Sequence, residues 1–163
     1  MSLAEIVVQA KSYQRNKQFE KAEQQLLQAL EWEQNNGEVN YLLAANCDMQ
    51  GLESQAVPYY TKAIELGLKE EDLKEAYVGL GSTYRTLGNY VESEKTLTEG
   101  LKRFPDYKPL HVFYSLTLYN LGNYDKAMER LLTSLLETTA DPDIQGFKNA
   151  LDYYAPRLNQ VWT

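Results

Sequence analysis

Residues 74–107 read KEAYVGLGSTYRTLGNYVESEKTLTEGLKRFPDY, and this stretch decides the fold. Tyr77, Leu80, Gly81 and Tyr84 stand at i, i+3, i+4 and i+7, the spacing that puts four side chains on one helical face. Gly88-Asn89 ends that helix, because both residue types tolerate the left-handed conformation of a helix C-terminus. A second stripe runs through Ser93, Leu97, Gly100 and Leu101, and Pro105 closes it. The stretch predicts two helices joined by a tight turn, and no strand.

The same unit recurs on both sides. Gly88-Asn89-Tyr90 returns 34 residues later as Gly122-Asn123-Tyr124, with Leu97 meeting Leu131 and Leu101 meeting Leu135. Upstream, Ala22, Leu26, Ala29 and Leu30 meet Ala56, Tyr60, Ala63 and Ile64, again at 34. Between Ala63-Ile64 and Gly100-Leu101 the offset is 37, which places a three-residue insertion within 68–72. Four units result, at about 3–36, 37–73, 74–107 and 108–141, followed by a tail that does not repeat. Small residues at Ala22, Ala56, Ser93 and Ala127 are expected to let the two helices of each unit approach closely.

Composition narrows the function. The chain has 163 residues, 44% hydrophobic and 24% charged, the size and balance of one globular domain. Sixteen Lys plus Arg against 23 Asp plus Glu leave a net charge of −7. That argues against nucleic acid and anionic membrane surfaces as partners, since both are bound through excess Lys and Arg. One Cys excludes an internal disulfide and points to a reducing, cytoplasmic setting; one His excludes His-rich metal sites. No apolar run approaches the roughly 20 residues of a membrane helix. Met1-Ser2-Leu3-Ala4 lacks the features of a signal peptide and also fits an engineered start.

The period and its residues resemble the tetratricopeptide repeat (TPR) proteins, whose signature is W-x2-L-G-x2-Y, then A-x3-F, then P. Unit three carries Tyr77 at the Trp place, Leu80-Gly81, Tyr84, Ser93 for Ala, Leu97 for Phe, and Pro105. Units one and two depart from it, with Gln9-Ala10 and Leu43-Ala44 at the Leu-Gly place and Cys47 at the Tyr place. Unit four has Tyr114-Ser115 there and lacks the closing Pro. Unit three with its tail also resembles small TPR proteins of Gram-positive bacteria. The resemblance spans about 3–141 and implies an all-α, right-handed solenoid of four helix pairs plus a C-terminal helix. Its concave face would bind a peptide or another protein.

No constellation points to catalysis. Cys47 aligns with Tyr13 and Tyr84, and His111 with Ile6 and Tyr77, so both occupy packing places rather than a nucleophilic pair. Glu70-Glu71-Asp72 reads as a solvated loop between units. A phosphate-binding glycine loop, a Ser/His/Asp order and metal-ligand spacing are all missing, so neither an enzyme nor a cofactor or metal site is expected.

The resemblance implies that the first helix of each unit lines the groove. Its non-core places are Val7, Lys11 and Arg15; Tyr41, Ala45 and Asp48; Val78, Ser82 and Arg85; and Val112, Leu116 and Tyr119. This mixture suits an amphipathic helix or extended peptide, with Lys11, Arg15 and Arg85 fixing an acidic end. The alternatives are a homodimer that uses the groove or the C-terminal helix and, further off, a small-ligand sensor or enzyme. The clamp by which co-chaperone TPR domains hold a chaperone's carboxyl terminus would need Lys and Asn at places filled here by Val7, Lys11, Leu42, Glu75 and Gly79. One basic residue among five cannot form it. In the tail, Asp141 suits a helix N-cap and Pro142 the first turn, with Ile144, Phe147, Leu151 and Tyr154 as an apolar stripe. A helix over 142–160 is expected either to cap the last unit by covering Leu131 and Leu135 or to fold back into the groove, its own or a partner copy's, with Pro156 kinking or ending it.

Overall fold

The computed structural model describes residues 2–163. Among them are ten α-helices and no strand: α1 (Leu3–Arg15), α2 (Phe19–Trp32), α3 (Gly37–Asp48), α4 (Glu53–Leu66), α5 (Glu70–Thr86), α6 (Tyr90–Arg103), α7 (Lys108–Asn120), α8 (Tyr124–Thr138), α9 (Pro142–Gly146) and α10 (Lys148–Tyr154). A 3₁₀ turn follows at Ala155–Arg157. Ser2 opens α1 with a capping box: its hydroxyl accepts from the Glu5 amide, and the Glu5 carboxylate accepts from the Ser2 amide.

The turn inside each helix pair has one left-handed residue. Lys17, Gly51, Gly88 and Gly122 have φ of 57°, 71°, 78° and 81°. The next amide bonds back to the carbonyl five residues earlier, as in Asn89 to Tyr84 and Asn123 to Leu118, which satisfies the orphan carbonyls of the helix end. Glycine fills three of these places without strain, whereas Lys17 holds the conformation with a side chain attached.

Successive helices pack antiparallel in pairs, α1 with α2 through α7 with α8, and each second helix also packs on the first helix of the next pair. The first helices α1, α3, α5 and α7 pack directly on one another in sequence; the second helices make no comparable contact among themselves. The inner layer is therefore the tighter one, and the stack bends toward it. The core is divided to match. One cluster centres on Ile6, Leu26, Val39 and Leu43, a second on Ala44, Cys47, Ala56, Tyr60 and Leu80, and a third on Tyr77, Leu97 and Leu110. Each is shared by adjacent pairs, as in a solenoid whose stability comes from stacking. Ala22, Ala56, Ser93 and Ala127 are all buried, and Ser93 donates its hydroxyl hydrogen to the Gly81 carbonyl at 2.7 Å across the α5–α6 contact.

Two expectations need correction. Glu70-Glu71-Asp72 is not a loop but the first turn of α5, which is 17 residues long against 12 or 13 for the other first helices. The three-residue insertion is absorbed as nearly one more helical turn, and its acids favour the positive end of the helix dipole. The tail is not one helix over 142–160. Asp141 does cap it, accepting from the Asp143 and Ile144 amides, but the chain breaks at Phe147 into α9 and α10. The tail lies on α8, with Ala155 buried and Gln145 donating to the Leu136 and Thr139 carbonyls. It covers Leu136 and leaves Leu135 42% exposed, while its own Phe147 and Tyr154 face solvent. Expecting Leu135 beneath the tail assigned the contact to the neighbouring face of α8.

Candidate functional site

The inner layer is held by a series of polar bonds running from one first helix to the next. Lys11 of α1 pairs with Glu38 of α3 at 2.9 Å. Gln14 donates to the Leu42 carbonyl at 2.8 Å and to Asn46 at 3.4 Å. Tyr41 of α3 donates to Glu75 of α5 at 2.8 Å, and Thr83 of α5 donates to Asp48 of α3 at 3.0 Å. Arg85 of α5 donates to Asn120 of α7 at 3.1 Å. Every junction thus carries at least one such bond, partly or wholly shielded from water, where hydrogen bonds and charge pairs are stronger than on an open surface.

These bonds give several of the expected groove residues another role. Val7 is 8% exposed and packs in the first core cluster with Ala10 and Leu42, so its side chain is not available to a ligand. Asp48 accepts from Tyr60 at 2.7 Å as well as from Thr83, tying three helices together. Burial pushes its carboxyl above the ordinary range, against the pull of those two hydroxyls. Tyr41 is half-buried, with its ring 6.2 Å from that of Tyr60; burial first, and then Glu75, pushes its phenol up. Arg15 is exposed and donates to the Lys11 carbonyl within its own helix. The residue of α1 that matches Asp48 at 34 residues is the buried Gln14, so Arg15 was assigned one place out of register.

The remaining residues form the accessible part of the face. Ala45, Val78, Ser82, Val112 and Leu116 are half-buried, and Tyr119 is exposed. Lys11 does not stand as a free cation, since Glu38 holds it. Asp72 and Glu75 sit near the same place: burial pushes the Asp72 carboxyl up, Lys11 opposes this, and Glu38 and Glu75 add to it. Lys69 also opposes the rise, so three carboxylates stand there against two lysines and leave the start of this face slightly negative, not the basic end expected from Lys11, Arg15 and Arg85. Sequence reasoning missed Gln14, Glu38, Glu75, Thr83 and Asn120. Their signal was weak: each bonded pair is separated by about one repeat, as are Tyr41 and Glu75 at 34 residues.

Cys47 is buried in the second core cluster, and burial is the main cause of its raised thiol pKa. His111 belongs to a different setting. Its Nδ1 accepts from Arg130 at 2.9 Å and its Nε2 donates to the Pro105 carbonyl at 2.6 Å. Arg130 in turn lies over the Tyr114 ring at 4.8 Å, and Tyr114 donates to Glu94 at 3.0 Å. His111, Tyr114 and Arg130 border a polar hollow of about 620 Å³ between α7 and α8. Among the described residues no three His, Cys, Asp or Glu side chains are grouped to hold a metal, and no helix is long and apolar enough to cross a membrane.

Solved structures place this architecture among known ones. The chain superposes on YrrB, a TPR protein with an unusual peptide-binding site, with a TM-score of 0.68 and 22% identity, covering 90% of this chain and 70% of that one. It also superposes on a chain of the APC/C hetero-tetramer Cut9-Hcn1, with a TM-score of 0.72 and 17% identity, covering 92% of this chain and 29% of that one. It therefore spans less than a third of the latter. At such identities the likeness establishes the fold. No curated protein matches the chain significantly. A family model described as Tetratrico peptide repeat matches residues 37–158, and another described as Tetratricopeptide repeat matches residues 7–36. Stacked helix pairs, left-handed turns in register and these two matches together make the chain a member of the tetratricopeptide repeat family, a family of protein-interaction repeats.

Proposed function

We propose that this protein holds a segment of a partner protein along the face of its first helices. The observation that carries the reading is the series of bonds from α1 to α7. They fix the inner layer in advance, so a partner would meet a surface whose ordering cost has already been met in folding. Val78, Ser82, Val112 and Leu116 offer a shallow, mostly apolar strip, and Glu38, Asp72 and Glu75 give one end of it negative charge. A segment with apolar side chains next to a Lys or Arg pair is the complementary partner. The peptide-binding site of YrrB and the assembly of Cut9 with Hcn1 support the same class of role. A cytoplasmic setting goes with this reading.

The test is a display selection of random peptides on the purified protein, followed by fluorescence anisotropy with the selected sequences. Enrichment of peptides combining basic and apolar residues is expected, with binding weakened at least about tenfold by Ser82→Glu while far-UV circular dichroism is unchanged. Equal binding by a folded Ser82→Glu variant would place the site elsewhere.

A further inference from the structure

The last helix pair departs from the repeat at one place. His111 and Tyr114 of α7 stand 34 residues after Tyr77 and Leu80, which are buried core residues of unit three. On α8, Lys126, Glu129, Arg130 and Thr133 stand where α6 has Glu92, Lys95, Thr96 and Glu99. In both units these residues line a hollow, of about 380 Å³ in unit three and about 620 Å³ in unit four. Two carboxylates against one lysine on α6 become two cations against one carboxylate on α8. Packing does not call for that exchange, since both units form the same helix pair.

Arg130 is the ordered cation of the unit-four hollow. Its Nη1 donates to His111 Nδ1 at 2.9 Å, and its guanidinium carbon lies 4.8 Å from the centre of the Tyr114 ring. Those two partners are held in turn, His111 by the Pro105 carbonyl at 2.6 Å and Tyr114 by Glu94 at 3.0 Å. An imidazole nitrogen that accepts from arginine leaves the full positive charge on Arg130. Among the described residues no carboxylate lies within ion-pair distance of it, and its Nε and Nη2 make no hydrogen bond within the chain. Neither nitrogen is sealed from solvent. That Nε–Nη2 edge is a fork that can give a carboxylate two parallel hydrogen bonds. Lys126 is exposed one turn earlier on the same helix face and has no ion-pair partner either, whereas Lys108 is bonded to Glu137. Asp106 and Glu129 are the carboxylates of the wall that no lysine holds. They balance Lys126 and Arg130, so the hollow suits one negative charge and not the two of a phosphate ester.

We propose that this hollow is a carboxylate-binding site, with Arg130 as its anchor and Lys126 as a second positive charge. The guanidinium is oriented before any ligand arrives, so little ordering remains to be done on binding. A planar carboxylate matches the free edge of Arg130 in shape as well as in charge. The volume falls within the roughly 300–1,000 Å³ of small-molecule sites. The carboxylate belongs either to a small organic acid or to an acidic side chain of another protein, and both present the same group to Arg130. The site is separate from the strip formed by Val78, Ser82, Val112 and Leu116, and does not depend on peptide binding there. It also uses none of the places at which co-chaperone TPR domains hold a carboxyl terminus.

His111 is the only histidine of the chain, so its Cε1–H resonance reports on the hollow without further assignment. The full chain is titrated at fixed pH and ionic strength with sodium propionate and with a blocked tripeptide carrying one central glutamate. Propionamide and the glutamine tripeptide are the uncharged controls. The expected result is a saturable shift with a Kd in the millimolar range for a carboxylate probe, and none for the amides. A stronger response to propionate assigns a small acid, and a stronger response to the tripeptide assigns a protein side chain. Arg130→Gln should weaken the binding at least about tenfold, and Lys126→Glu, which restores the residue of unit three at an exposed position, at least about threefold. Circular dichroism checks that both variants stay folded; Lys126→Glu keeps the test decisive if Arg130→Gln does not. The proposal is overturned if the amides shift the resonance as the acids do, or if no probe gives a saturable shift up to about 100 mM. Binding that is unchanged in the folded variants overturns it as well.

Discussion

Gly81 and Leu97 should be strongly coupled in stability, because the spacing of α5 and α6 rests on their contact. A Cβ at Gly81 would lie 2.5 Å from Leu97 Cγ and 2.6 Å from its Cδ2, closer than real carbon atoms approach. Leu97 is fully buried, so it has little room to give way. Leu97→Ala removes those atoms and should cost about 2–5 kcal/mol. Gly81→Ala gains about 1 kcal/mol of helix propensity but forces an overpacking cost of about 1–3 kcal/mol, for a net loss of up to about 2 kcal/mol. In the Leu97→Ala background the collision is gone and the added methyl enters the vacated space. There Gly81→Ala should stabilise by about 1 kcal/mol, giving a favourable coupling of about 1–3 kcal/mol. Urea titrations of the four proteins, followed by far-UV circular dichroism with a common slope, measure it. If Gly81→Ala shifts the unfolding free energy equally in both backgrounds, the two helices are not spaced by this contact.

Two further outcomes follow from single residues. Lys17 is the one turn residue in the left-handed region that is not glycine, and a side chain there costs about 1–2 kcal/mol. Part of that gain is offset by the greater freedom of glycine in the unfolded chain. Lys17→Gly should therefore raise stability by about 0.5–1 kcal/mol, seen as a higher melting temperature in calorimetry; a lower one would contradict the turn geometry. Asp48 has its pKa raised in the folded state, mainly by burial. A raised carboxylate adds stability below its unfolded pKa of about 3.9, and that stability is lost as pH rises through the folded value. The stability of the native protein relative to Asp48→Asn should consequently fall as pH rises above about 4; a difference that is flat or grows with pH would contradict the assignment.

The helices and their phase were legible because packing repeats them. Leu97, Ala56 and Cys47 fall where the period places core residues, and all three are buried. The groove was less legible, because a helix residue next to a core place can either face solvent or bond sideways to the next helix. Val7 and Asp48 differ from Val112 and Ser82 in what the neighbouring helix brings, and a single period does not contain that information. Arg15 was expected in the groove, but the repeat place belongs to Gln14, whose buried amide finds two acceptors on α3. The tail failed for a related reason. Its stripe of Ile144, Phe147, Leu151 and Tyr154 fits a continuous helix, but the break at Phe147 leaves much of it exposed, and Ala155 makes the buried contact instead.

The central claim is that the first-helix face is the interaction surface. It is tested most directly by a ¹⁵N-HSQC titration of the protein with a display-selected peptide. Shifts concentrated on α3, α5 and α7, at Tyr41, Val78, Ser82 and Val112, are the predicted result. Shifts concentrated on α2, α4 and α6 would contradict the claim.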